Sequence, residues 1–269
     1  MNSLDYLLTA ILFIFIPYAA FAIFLIGAVY RLASWISPRG LTGLKTVAIV
    51  PNTFHIFAVL KDIFKRVFLF YTLPKMEKDR TLIIGSVLFH YGIWFSLLGH
   101  LAMILPLPVS LQFHEMIALY MGGTAGISAF AGILILATRR LHVKRMRRIS
   151  YFDDYFAISM LLALIILGLV QTLYIKPLFM FTVSPWLVSL IEFRPEIATM
   201  ANISPVTAVH ITIGLIFIAY IPYGKIVHIV SYLFQPTITK KSYKIKNVKQ
   251  PEMNVSGATE GGENSATGD

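Results

Sequence analysis

The chain has no cysteine in 269 residues. That excludes disulfides, thiolate-held iron–sulfur clusters, structural zinc of the thiolate kind and covalent attachment of haem through a CxxCH motif. Any redox centre here is held by histidine or another non-thiol ligand. Charge is also scarce: 13% of residues are Asp, Glu, Lys or Arg, against 57% hydrophobic. Soluble domains carry roughly a quarter charged residues, so an ordinary water-soluble enzyme is excluded. A mean hydropathy of +0.73 assigns the chain to the integral membrane proteins.

A spanning helix needs about 20 apolar residues. Five stretches qualify: Leu4–Tyr30, Thr81–Leu105, His114–Thr138, Phe152–Leu173 and Val206–Phe234. The expected fold is therefore an all-α integral membrane bundle of five transmembrane helices over residues 1–235. Pro222 predicts a kink in the fifth span. The first span is longer than a signal-peptide apolar region and lacks a basic leader, so it is expected to be retained. No internal repeat suggests inverted transporter halves. Residues 236–269 form a polar tail, and its Gly-, Thr-, Glu- and Asn-rich end predicts disorder.

The net charge of +10 is distributed by side. Nine Lys/Arg fall between Arg31 and Arg80, six between Arg139 and Arg148, and six from Lys225 to Lys249. Facing them on the other side are only Lys176 and Arg194, a split of 21 to 2. The positive-inside rule then predicts an outside N-terminus and a cytoplasmic C-terminus, in the plasma membrane of a prokaryote. Topology and contact with anionic membrane lipid explain the charge, so no nucleic-acid partner is expected. The loop at 37–80 becomes a long cytoplasmic connection. Within it, Phe54–Tyr71 mixes apolar and basic positions at near-helical spacing, as in an interfacial helix or a docking element; a plain surface helix has the same pattern. Ser184–Ile191 reads as an outer interfacial helix, with Trp186 in the headgroup belt.

Seven histidines are present. His55 and His142 fall in cytoplasmic connections; His90, His100, His114, His210 and His228 lie in or at the ends of spans, where ionisable groups are rare and usually functional. The second and fifth spans run in opposite directions, so His100 pairs in depth with His210, and His90 with His228. Two imidazoles at each of two levels are what bis-histidine ligation of two b haems requires. The fit in length is imperfect: a helical rise gives roughly 15 Å from His90 to His100 but roughly 27 Å from His210 to His228. Gly85, Gly92, Gly99, Gly214 and Gly224 are read as letting a macrocycle approach the backbone. Close helix packing accounts for the same glycines. Lys225, one turn from His228, is a candidate for a haem propionate or a lysine reaching the headgroups. His114 and Glu115, at the level of His100, are candidates for a quinol site that passes protons outward; they also suit a helix start.

Phe89-His-Tyr-Gly-Ile through Gly99-His-Leu101 resembles the paired-histidine helix of the respiratory nitrate reductase gamma subunit family. The run Ser184-Pro-Trp-Leu, Glu192-Phe-Arg-Pro195, His210 and Pro222-Tyr-Gly-Lys-Ile-Val-His228 is similar to that family's closing segment. The resemblance covers Thr81–Ser231. It implies a five-helix diheme cytochrome b that oxidises quinol or menaquinol near the outer face and passes electrons to a cytoplasmic iron–sulfur oxidoreductase subunit. It also implies that His100 and His210 ligate the outer haem b, and His90 and His228 the inner one. Two positions depart from the nitrate enzymes: Lys225 stands where they usually carry Arg, and His114 where they tend to carry Lys. The long basic loop before Arg80 looks more like the related cytochrome b subunit of the sulfite-reduction-associated membrane complex, whose cytoplasmic partner resembles the heterodisulfide reductase catalytic subunit. Two other classes remain open on the residues alone: a histidine-lined transporter, and a redox-silent anchor.

Overall fold

Apolar residues run through long segments that contain almost no backbone-breaking sequence, and such segments satisfy their backbone groups in lipid only as helices. The computed structural model describes residues 3–36, 56–105, 110–175, 179 and 181–228, and among these there is no strand. The part of the loop at 37–55, the end of the expected fifth span at 229–234 and the tail at 236–269 lie outside the described residues.

The longer helices among the described residues are α1 (3–36), α2 (Ile56–Val67), α3 (Arg80–Ile104), α4 (111–142), α5 (152–175), α6 (Val183–Ile191) and α7 (Pro205–Tyr220). Among the described residues, four segments are long and apolar enough to cross a membrane: Leu4–Ser34, Arg80–Leu101, Glu115–His142 and Phe152–Ile175. The fifth expected span is interrupted within the described residues. Its helix ends at Tyr220, and Pro222, fully buried, is followed by a turn and the 3₁₀ segment Lys225–Val227. Proline has no N–H to continue the ladder, and here the helix stops instead of kinking. The freed carbonyls are not left bare: Arg31 of α1 donates from Nε to the Pro222 carbonyl at 2.8 Å and from Nη2 to that of Tyr223 at 3.3 Å. Gly27, one turn earlier, gives the room, since a Cβ there would come within 2.8 Å of the Pro222 ring.

Backbones approach most closely between α3 and α4, then α7 with α1, α4 with α5 and α7 with α5. Two glycines make the first contact. A Cβ on Gly92 would lie 2.4 Å from the Ala129 nitrogen, and one on Gly132 2.3 Å from that of Phe89. Gly92 therefore serves helix packing, as does Gly85 against Ile135 and Leu136. This corrects the reading of both as room for a macrocycle: at 100° per residue Gly92 sits about 160° around α3 from His90. Gly99 faces open space, and Gly224 packs over the Tyr220 ring.

Pro17 cannot donate to the Phe13 carbonyl, and α1 widens there into the π turn Ile11–Phe15. Trp186 of α6 donates its Nε1–H to that carbonyl at 2.7 Å and meets the Phe13 ring edge-on. Trp186 is thus 3% exposed, inside a cluster with Val183, Leu190, Ile197 and Met200. It is not the belt residue expected from sequence, because a buried carbonyl acceptor outcompetes the headgroup position. At the opposite end of the bundle, Asp79 caps α3 and pairs with Arg139 of α4 at 2.7 Å. The Thr81 hydroxyl, then Arg139, hold its carboxyl well below the usual carboxylate range.

Candidate functional site

The structure brings the four histidines together in the two pairs expected. The His100 and His210 ring centroids are 6.1 Å apart with planes at 17°, and those of His90 and His228 are 6.3 Å apart with planes at 75°. The length mismatch disappears because α7 ends early. From His210 to Tyr220 is ten residues, a rise of roughly 15 Å that equals the His90–His100 rise. The remaining residues to His228 form a turn and a 3₁₀ segment instead of extending the α-helix.

These distances test whether a haem fits. A metal–imidazole bond of about 2 Å, with roughly 1 Å more from nitrogen to ring centre, sets two axial rings on one metal about 6 Å apart. Both pairs match. The ring nitrogens are also assigned suitably. Nδ1 of His90 bonds the Ser86 carbonyl at 2.7 Å, Nδ1 of His100 that of Ser96 at 2.7 Å, and Nδ1 of His228 that of Lys225 at 3.1 Å. With Nδ1 protonated onto a carbonyl, Nε2 is the lone-pair nitrogen, the form in which imidazole ligates a metal. His210 is the exception. Its Nδ1 is buried without a hydrogen-bond partner; the Leu164 carbonyl is its backbone neighbour, outside good bonding geometry. Helices α3 and α7, which carry three of the four rings, are not among the pairs whose backbones approach closely. Among the described residues no group of three or more His, Asp or Glu could hold a bare metal ion. A porphyrin needs only two protein ligands for its iron, since its own nitrogens supply the rest.

The His90–His228 pair is walled by aromatic rings. Phe70 lies 5.5 Å from His90, Phe89 5.2 Å and Trp94 6.1 Å. Phe70 holds this place through a left-handed backbone, φ 48°, in the turn after α2. Tyr91 donates its hydroxyl to the Phe68 carbonyl at 2.6 Å and ties that turn to α3. Sequence reasoning missed Phe70, since nothing local marks a phenylalanine that adopts the left-handed region.

Lys225 does not stand free. Its ammonium is 2.7 Å from Asp154 Oδ2, and Arg140 Nη1 reaches the same oxygen at 3.1 Å. Asp154 is buried at the start of α5 and closes that helix's capping box with Tyr151. It too was missed, although the signal was available in the Asp153-Asp154 pair that opens an apolar span, where ionisable groups are rare. His114 and Glu115 lie in the first turns of α4. Glu115 is exposed and, among the described residues, has no hydrogen-bond or ion-pair partner, so the structure does not join it to His100.

Comparison with known proteins adds a family and several relatives. The family model described as nitrate reductase gamma subunit matches residues 73–243. The Hdr-like menaquinol oxidoreductase cytochrome b-like subunit of Archaeoglobus fulgidus is 28% identical over 260 residues, covering 83% of this chain and 77% of that protein. The nitrate reductase gamma chain of Bacillus subtilis is 32% identical over 167 residues, covering 58% and 74%. The respiratory nitrate reductase 2 gamma chain of Escherichia coli is 30% identical over 174 residues, covering 60% and 76%.

Proposed function

The chain belongs to the nitrate reductase gamma subunit family, and from that premise we propose that it is the diheme cytochrome b subunit of a quinol-oxidising membrane complex. The observation that carries this reading is the pair of 6.1 and 6.3 Å ring separations at two levels of one bundle. His100 and His210 hold the outer haem, and His90 and His228 the inner one. Once bound, the two haems supply one-electron centres at two depths of the membrane. The 21-to-2 distribution of basic residues supports an outside N-terminus and a cytoplasmic C-terminus, with the chain after Pro222 completing the fifth crossing.

The chain's own residues divide the remaining work. Quinol oxidation releases two electrons and two protons. His114 and Glu115, at the His100 end of the bundle, accept protons and pass them outside; the exposure of Glu115 suits that transfer. At the other end Phe70, Phe89 and Trp94 keep water from the His90 ring. Lys225 keeps its bond to Asp154, and an ammonium's three donors leave it able to meet a propionate as well. With no cysteine, the chain has no thiolate for an iron–sulfur relay. A separate cytoplasmic subunit therefore takes the electrons, docked by the basic loops that also meet anionic lipid. The Hdr-like menaquinol oxidoreductase relative covers 83% of this chain, against 58% for the nitrate reductase gamma chain of Bacillus subtilis, which supports menaquinol as the electron donor. The basic loop before Arg80 and its resemblance to the sulfite-reduction-associated complex are the grounds for a partner in dissimilatory sulfur metabolism.

The test is reduction of the purified chain by a short-tailed menaquinol analogue in vesicles. We expect haem absorbance to reduce with quinol as fully as with dithionite, and the double variant His114→Ala, Glu115→Gln to slow this about a hundredfold with haem content unchanged. Reduction by dithionite but not by quinol overturns the quinol reading. Quinol reduction at the original rate in the double variant removes those two residues from it.

A further inference from the structure

We propose that Asp154 is a positioning residue that sets the ring plane of His228, acting through Lys225; the inference rests on the diheme reading above. Three of the four paired histidines sit well inside helices, where the ladder fixes their backbone. His228 instead stands at the first residue of a helical stretch whose continuation lies outside the described residues. It follows the break at Pro222 and directly succeeds the 3₁₀ segment Lys225–Val227. That segment is weakly held by its own backbone, with the Val227 N–H reaching the Gly224 carbonyl at 3.4 Å.

What fixes it is an ion pair. The Lys225 carbonyl accepts from His228 Nδ1 at 3.1 Å, so the residue that orients the ring is Lys225. The Lys225 ammonium is in turn held at 2.7 Å by Oδ2 of Asp154. Asp154 is itself immobile: its side chain is 6% exposed, and Arg140 Nη1 at 3.1 Å and the Tyr151 N–H at 3.0 Å donate to the same oxygen. A buried carboxylate with three converging donors is a fixed anchor. It ties the ends of α4 and α5 to the residue that aims His228. Among the described residues no ion pair stands behind the other pair, and its planes lie at 17° where those of His90 and His228 lie at 75°.

This angle has a spectroscopic consequence. Axial imidazoles with parallel planes donate into one iron d orbital and split the two that compete for the unpaired electron. Perpendicular planes leave those orbitals nearly degenerate, and unquenched orbital momentum makes the ferric signal strongly anisotropic.

The test is electron paramagnetic resonance with a redox titration on the full chain, wild type against Asp154→Asn. We expect two low-spin signals in the wild type, one of ordinary spread and one with a much larger maximal g value. Asp154→Asn should move the second toward the first and shift its midpoint potential, leaving the first unchanged. Asp154→Glu should restore it. Lys225→Met should reproduce the change, and the double variant should add nothing. If Asp154→Asn does not accumulate, the Lys225→Met comparison stands in its place. Two unchanged signals overturn the inference, as does a proportional loss of both, which would make Asp154 only a helix cap. A wild type without two low-spin haem signals overturns the diheme reading itself.

Discussion

Alanine at His100 or at His210 should halve the haem bound by the purified chain, and alanine at His90 or His228 should do the same. Each ring has its partner at the same level about 6 Å away, and under the proposed reading these two rings are the protein ligands of one haem. Removing it leaves a single imidazole, and a b haem has no covalent link to hold it. The two losses should be distinguishable. Alanine at His100 or His210 leaves the strongly anisotropic signal, and alanine at His90 or His228 leaves the ordinary one. The double variant His100→Ala, His90→Ala should bind no haem. His142, whose Nδ1 bonds the Thr138 carbonyl at the end of α4, is the control, and its alanine variant should keep full haem. The measurement is haem-to-protein ratio by haemochrome absorbance. Full retention in any of the four single variants would remove that residue from ligation.

Gly132→Ala and Gly92→Ala should each destabilise the bundle by several kcal/mol. The added methyl would meet backbone, not side chain: the Phe89 nitrogen at 2.3 Å and the Ala129 nitrogen at 2.4 Å. A side chain can swing aside, but helix backbones can only move apart, and α3 against α4 is the most extensive contact in the fold. Moving α3 also displaces His90 and His100 from their partners, so haem content should fall with stability. Gly99→Ala is the opposite case. Nothing lies within 4 Å of its Cβ position, and alanine is the better helix former by about 1 kcal/mol, so it should be neutral or slightly stabilising. Thermal unfolding in detergent, followed by haem absorbance, separates the three. A Gly132→Ala protein as stable as wild type would contradict the packing described.

The histidine pairs were legible in the sequence because membrane depth is set by residue count along antiparallel helices. What spacing could not supply was the end of α7. A proline in an apolar run reads equally as a kink or a stop, and the outcome depends on Arg31 of α1 capping the Pro222 and Tyr223 carbonyls. Those are contacts across 191 and 192 residues, beyond any local pattern. Arg31 itself had been read only as a topological charge. The glycine stripe on α3 was misassigned for a reason the sequence did contain, since helical angle alone separates Gly92 from His90. Trp186 went wrong because aromatic belts are a rule about lipid, whereas this indole finds a carbonyl that Pro17 leaves free. Phe70 and Asp154 act through tertiary contacts with residues from other helices and leave no periodic trace.

The most direct test of the account is the number of haems in the purified wild-type chain. We predict two b haems per chain, both low-spin in the ferric state and both reduced by menaquinol. One haem, or none, in protein that is folded and unaggregated would contradict it.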